Sequence, residues 1–179
     1  RTGFTVVVCQ NTFNVAMREK SDFKLSIRHT AKANVLDLGK AIDAHIGVVA
    51  EFKLAMDSMD SVDVTADKAR KIYAGFLSGG EVPETKTGIS RLTNVVHDMT
   101  TLFAIGNGNS GRTMADVFNG ATDYYSHESS GGNRWKQFVS SEFGAADNRK
   151  REFMDVISDA GSLASTVRNG ESVLMALGV

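Results

Sequence analysis

Two stretches of this chain hold residue types that could do chemistry. In "NGATDYYSH", residues 119–127, Asp123 and His127 stand four apart. On a helix that spacing sets them on one face, where a carboxylate can orient an imidazole. Asn119 and Thr122 lie on or near the same face. The face is either solvated or part of a buried polar network. The second stretch, "GNGNSGRT" at 106–113, nearly matches the phosphate-binding loop G-x-x-x-x-G-K-[ST]. Amides at a helix N-terminus bind anions, so the resemblance has a physical basis. Arg112, however, stands where the loop needs lysine. The segment before it reads as helix rather than buried strand, and no later apolar run ends in an aspartate able to orient magnesium. A flexible connector, mobile over 106–112 as over 129–133, is the better reading.

His97-Asp98 would suit the paired ligands of a helical metal phosphohydrolase, with His45 and Asp123 as partners. The rest of that pattern is missing, and His45 falls on an apolar seam, where a histidine is more often core. No metal and no cofactor are assigned.

Residues 3–9 read as a buried strand ending at Cys9, which is most simply a small buried side chain. Asn11 or Thr12 then caps a short helix to about Lys20. "FKLSIRH", 23–29, alternates apolar and polar as a half-buried strand does. From Thr30 a long helix is predicted, because Val35, Leu38, Ile42, His45, Val49, Phe52, Met56 and Met59 fall at spacings of three and four. Thr65 caps a second helix, with Ala69, Ile72, Tyr73 and Phe76 on one face and Gly79-Gly80 at its end. A third spans about 84–103 on Ile89, Leu92, Val96, Met99 and Phe103. Two long stripes separated by a short helix predict an antiparallel pair. Thr113 caps a helix to about His127, and two more are read in "NRWKQFVSSEF" and "NRKREFMDVISDA", joined at Gly144. The tail from Gly161 is small, polar and weakly patterned.

The bulk numbers exclude several classes. Apolar residues make up 42% of 179, too many for a disordered chain. Net charge is −1, which gives no global attraction to nucleic acid. A single cysteine excludes an internal disulfide and fits a reducing compartment. No 18-residue apolar run is present, so no membrane span is expected. Charge is placed unevenly. Arg1, Arg18, Lys20, Lys24, Arg28 and Lys32 crowd the start. Asp57, Asp60, Asp63 and Asp67 crowd 51–67. Arg134, Lys136, Arg149, Lys150 and Arg151 crowd the last third.

Three signatures fall in order: "CQNT" at 9–12, "IRHT" at 27–30, and "FNGATDYYSHES" at 118–129 followed by "SEFGAADNRKREFMDVI" at 141–157. Together they resemble the phage/plasmid-like family called domain of unknown function 932. The resemblance implies a strand followed by Asn11-Thr12, a second strand followed by Arg28-His29-Thr30, and a helix bearing Asn119, Thr122, Tyr125 and His127. The chain departs from the pattern at Met114-Ala115, where the family carries tryptophan two residues after the threonine. The resemblance implies a mobile genetic element as source and no particular reaction.

The fold expected is α+β and mainly α-helical, with long antiparallel helices packed with a small β element at the N-terminal end. A single domain over 1–160 is expected, cut from a longer chain, with 161–179 as tail. The leading function is a non-enzymatic phage or plasmid accessory protein, in a bacterial cytoplasm, that binds single- or double-stranded DNA in recombination or replication. Its ligand-binding candidates are Asn11, Thr12, Arg28, His29, Asn119, Thr122, His127, Arg134, Trp135, Lys136, Arg149, Lys150 and Arg151. Trp135, Tyr124 and Tyr125 lie among these cations and can stack on bases. The alternative is a protein-interaction module, oligomerising or blocking a host defence factor through its heptad helices. A distant third is a phosphoester-handling enzyme using His127, His29 or the glycine-rich loop. One internal tie is also expected, Arg28 against Asp123.

Overall fold

The computed structural model describes residues 50–128 and 144–179, together with the backbone of three strands before them. The chain divides into two compact units, Arg1–Asp57 and Ser58–Val179.

In the first unit, β1 (Phe4–Cys9), β2 (Thr12–Met17) and β3 (Lys24–Arg28) form an antiparallel sheet in the order β1-β2-β3. Cys9 pairs with Thr12 and Phe4 with Met17, so two residues separate β1 from β2. Thr12 pairs with Arg28 on the other side. The helix expected over 12–20 is therefore a strand through Met17, and Thr12 opens that strand rather than capping a helix. The reason is legible: Phe13, Val15 and Met17 alternate with Thr12, Asn14 and Ala16, a period of two. Residues 50–60 are helical, here α1. Phe52 and Met56 are half-buried on it and Met59 is buried, at the expected seam positions. The seam positions Val35 to Val49, His45 included, lie outside the described residues.

The second unit is helical. α2 (Ala66–Ser78) starts at Thr65, whose hydroxyl accepts from the Lys68 amide, and stops at Gly79 in the left-handed region. α3 (Lys86–Ile105) starts at Thr85 in the same way. Its stripe of Leu92, Val96, Met99 and Phe103 is buried, as the spacing predicts. α4 (Met114–Asp123) starts at Thr113 and passes into a π-helical turn, Tyr124–Glu128. α5 (Ala145–Ser158) and α6 (Ala160–Leu177) complete the unit.

The segment read as an unpatterned tail is thus the 18-residue helix α6, capped by Asp159, which accepts from the Ser162 amide at 2.7 Å. It packs lengthwise on α2. The two axes approach through paired glycines. A Cβ on Gly75 would collide with the Thr166 carbonyl oxygen, and one on Gly170 with the Lys71 carbonyl oxygen. Lys71 closes the crossing from outside by pairing with Glu171 at 2.9 Å and Asp67 at 3.0 Å. The close approach at the glycines is flanked by Val173 and Leu174, which are buried on the same face of α6. The core gathers Ile72, Tyr73, Met99, Phe103, Val117, Phe153 and Val173. Tyr73 stacks on Phe153 at 5.9 Å, and Phe76 meets the same ring edge-on at 4.9 Å.

Candidate functional site

Helix α4 organises the polar chemistry of the helical unit, because both of its ends carry clusters of polar groups. Its middle is fixed against the core. Gly120 lies so close to α3 and α2 that a Cβ there would stand 2.7 Å from the Tyr73 hydroxyl and 2.9 Å from the Phe103 nitrogen. The Tyr73 hydroxyl donates to the Val117 carbonyl at 2.8 Å. Burial raises the Tyr73 phenol far above its ordinary range, and the Asp116 charge adds to the shift.

At the N-terminal end the glycine-rich loop closes on Asp116. This carboxylate is buried. It accepts from the Ser110 hydroxyl at 2.8 Å and from the amides of Arg112, Thr113 and Ser110 at 2.9, 3.1 and 3.2 Å. Thr113 returns a bond, its hydroxyl accepting from the Asp116 amide at 3.3 Å, which completes a capping box. Burial pushes the Asp116 carboxyl up. The bonds from Arg112, Ser110 and Thr113 outweigh it and hold the carboxyl below its ordinary value. Gly108 and Gly111 adopt φ of +87° and +69°, so the loop needs glycine at both positions. Asn109 anchors the other side, donating to the Leu102 carbonyl at 2.8 Å and accepting from the Asn119 side chain at 3.1 Å. A short antiparallel bridge joins 62–64 to 112–114, with Val64 N–H donating to Arg112 at 2.7 Å and Met114 N–H to Val62 at 2.9 Å.

The loop expected to be a mobile connector is therefore tied at five or more points. The amides that would cradle a phosphate are spent on the protein's own aspartate, and α3, not a strand, precedes them. Sequence reading missed Asp116, Ser110 and Asn109. Thr113-x-x-Asp116 was the signal for the first, since an acid three residues after a capping threonine commonly turns back on it.

At the C-terminal end α4 widens into the π turn. A π turn bonds i to i+5 and holds one more residue than an α turn. The shared face expected for Asp123 and His127 assumed regular α geometry, which ends at Asp123. His127 is exposed, and Asp123 and Thr122 are half-buried. The Thr122 hydroxyl donates to the Asn119 carbonyl at 3.0 Å. Tyr124 and Tyr125 meet edge to face at 5.6 Å. Burial pushes the Tyr125 phenol up to about 12, against the pull of the nearby Arg149 charge.

α5 packs beside this turn and carries the basic run 149–151. Its three cations have three different surroundings. Arg149 is exposed, pairs with Glu152 at 2.8 Å and lies 5.8 Å from the centre of the Phe76 ring. Lys150 is buried and donates to the Ser126 hydroxyl at 3.4 Å. Arg151 binds Asp147, a buried carboxylate, at 2.5 Å, and its Nε has no hydrogen-bond partner among the described residues. The run is thus not a uniform cationic face. Asp147 and Ser126, which divide these roles, were not singled out in the sequence.

Of the other sequence-derived candidates, Thr12 and Arg28 lie in β2 and β3, with their side chains outside the described residues, as are Asn11, His29, Arg134, Trp135 and Lys136. The Arg28–Asp123 tie and the mobility expected over 129–133 fall there too. His97 and Asp98 are both exposed on α3, and no three metal-ligating side chains converge among the described residues. No helix among the described residues is long and apolar enough to cross a membrane.

This arrangement defines a helical domain whose polar clusters sit at the two ends of one buried helix. The chain belongs to the family described as Domain of unknown function (DUF932), whose model matches residues 1–166. No curated protein and no solved structure gives a match.

Proposed function

We propose that this is a non-enzymatic, phage- or plasmid-encoded accessory protein of the bacterial cytoplasm that binds single-stranded nucleic acid. The face used is the one formed by the π turn and α5. The observation that carries this reading is the placement of Arg149. It is an exposed guanidinium on α5, which packs beside the turn that carries the Tyr124–Tyr125 pair. Cations beside aromatic rings are what a strand without fixed base pairing needs, since phosphates pair with the former and bases stack on the latter. Tyr125 is buried, so the half-buried Tyr124 is the ring of the pair that can stack. His127 adds an exposed imidazole at the end of the same turn. Along the chain, Arg134, Trp135 and Lys136 fall between the π turn and α5, so they extend the same composition. The strands β1–β3 form the β element of an α+β family domain in this reading, and the heptad helices serve self-association.

Titration with a fluorescent oligothymidine at several salt concentrations tests it. Binding that weakens steeply with salt, and that Arg149→Gln reduces, is the expected result. An absence of binding at low salt, together with a stable protein complex or ring in size-exclusion chromatography, would move the function to protein interaction.

A further inference from the structure

We infer that Lys150 is a positioning residue, which holds the π turn in place through Ser126 and makes no phosphate contact of its own. The inference deepens the nucleic-acid reading for its part in binding, and its structural half stands apart from that reading.

Three cations stand in sequence on α5, and sequence alone counts them alike. The structure separates them by exposure and partner. Arg149 is open to solvent, while Lys150 is only 9% exposed and its ammonium is turned toward Ser126. A buried ammonium cannot meet the backbone of a nucleic acid without leaving its site, and its burial is tolerated only with hydrogen-bond partners. Ser126 is the middle residue of the π turn. Such a turn is rare and short because the α form of the same residues is normally favoured, so it persists where surrounding contacts select it. Two such contacts are made by described residues. Tyr125 is buried against the core side, and Ser126 accepts from Lys150 across from a different helix. Tyr125 is the packing half of the selection and Lys150 the polar half. The extra residue in the turn sets the rotation at which Tyr124 and His127 leave the helix. Lys150 thereby governs the aromatic pair and the imidazole without touching the ligand.

Lys150→Met keeps the length of the side chain and removes its donor, and Ser126→Ala removes the acceptor. Each is measured in three ways: melting temperature, hydrogen exchange over 124–128, and oligothymidine titration across a range of salt. The expected result is a melt close to wild type, exchange over 124–128 faster by about tenfold or more in both variants, and oligothymidine binding weaker by several-fold with the wild-type salt slope retained. A direct phosphate contact would instead lower the slope by about one on substituting the lysine. That drop, with exchange unchanged, overturns the inference. Exchange unchanged in both variants overturns it as well, whatever the binding. If Lys150→Met fails to fold, Ser126→Ala carries the same exchange comparison alone. If the wild-type protein binds no oligothymidine, the nucleic-acid reading fails, and the exchange comparison still decides whether Lys150 holds the turn.

Discussion

The two ends of α4 use similar residue types to opposite effect. At the N-terminal end, a serine hydroxyl and three backbone amides converge on Asp116, and the loop is closed by its own carboxylate. At the C-terminal end, a serine and a lysine meet inside while Arg149 and His127 face outward. The first cluster spends its buried carboxylate and three loop amides on itself. The second keeps its Lys150–Ser126 pair for shape and presents the Arg149 guanidinium at the surface. A polar cluster becomes a binding candidate when some of its capacity remains turned toward solvent, and the composition of the cluster does not decide that.

The sharpest way to break the comparison is to empty the closed end. Asp116→Ala removes the acceptor for four donors, three of them backbone amides. Unsatisfied buried donors cost about 1–3 kcal/mol each where water cannot replace the carboxylate, and partial solvation of the loop reduces the sum. A loss of about 2–4 kcal/mol in urea denaturation is expected. A loss below about 0.5 kcal/mol would mean that the loop holds itself without the carboxylate. In the wild type, slow exchange at the Ser110, Arg112 and Thr113 amides is expected, and fast exchange there would restore the flexible connector.

The same carboxylate makes the closed end sensitive to acid. Its folded-state pKa lies below the ordinary value. The stabilisation it contributes is therefore complete above the unfolded value of about 4 and is lost as pH falls through the lower folded value. Denaturation midpoints of the wild type should fall across that window more than those of Asp116→Asn. Parallel pH dependence in the two proteins would show that the loop bonds do not favour the ionised form.

Next in size is the anchor between the two ends. Gly120→Ala forces a methyl toward the Tyr73 hydroxyl and the α3 backbone. Overpacking of this kind costs about 1–3 kcal/mol. Tyr73→Phe in the same chain removes the oxygen nearest the new methyl. It should recover part of the loss, less whatever the bond to Val117 contributes. No recovery at all would place the strain on the Phe103 and Met99 backbone instead.

How much of this was legible depended on which force made each feature. The stripes of α2 and α3 and their threonine caps were readable, because burial of large side chains leaves a period and capping leaves a residue type. Strand β2 carried its own period of two at Phe13, Val15 and Met17, although the polar residues at its start resembled a helix cap. Helix α6 was overlooked although Leu163, Val167, Gly170, Val173, Leu174 and Leu177 recur at spacings of three and four, because the glycine, serine and alanine between them thin the stripe. The closed loop was half-readable through Thr113 and Asp116, but its bonds to Asn109, Asn119 and the 62–64 segment need distance information that no local pattern holds. For the basic run, the sequence showed three adjacent cations and no more. It could not tell the buried Lys150 from the exposed Arg149, since that depends on which helix lies opposite.

The smallest expected effect on stability is the one most informative about binding. Arg149 pairs with Glu152 three residues on and covers the edge of the core at Phe76, with its side chain 56% exposed. Exposed pairs of this kind contribute about 0–1 kcal/mol, because water already solvates both charges well. Arg149→Gln should therefore leave the melting temperature nearly unchanged. If the open end of α4 meets phosphate, the same variant should weaken oligothymidine binding and reduce the salt slope by about one, since one counterion-releasing contact is gone. Freed from its partner, Glu152 would add repulsion toward the strand, so Arg149→Gln combined with Glu152→Gln should regain part of the affinity but none of the slope. A large melting shift in Arg149→Gln would show instead that the guanidinium belongs to the core contact with Phe76. The two ends of α4 would then be alike in spending their charge inside.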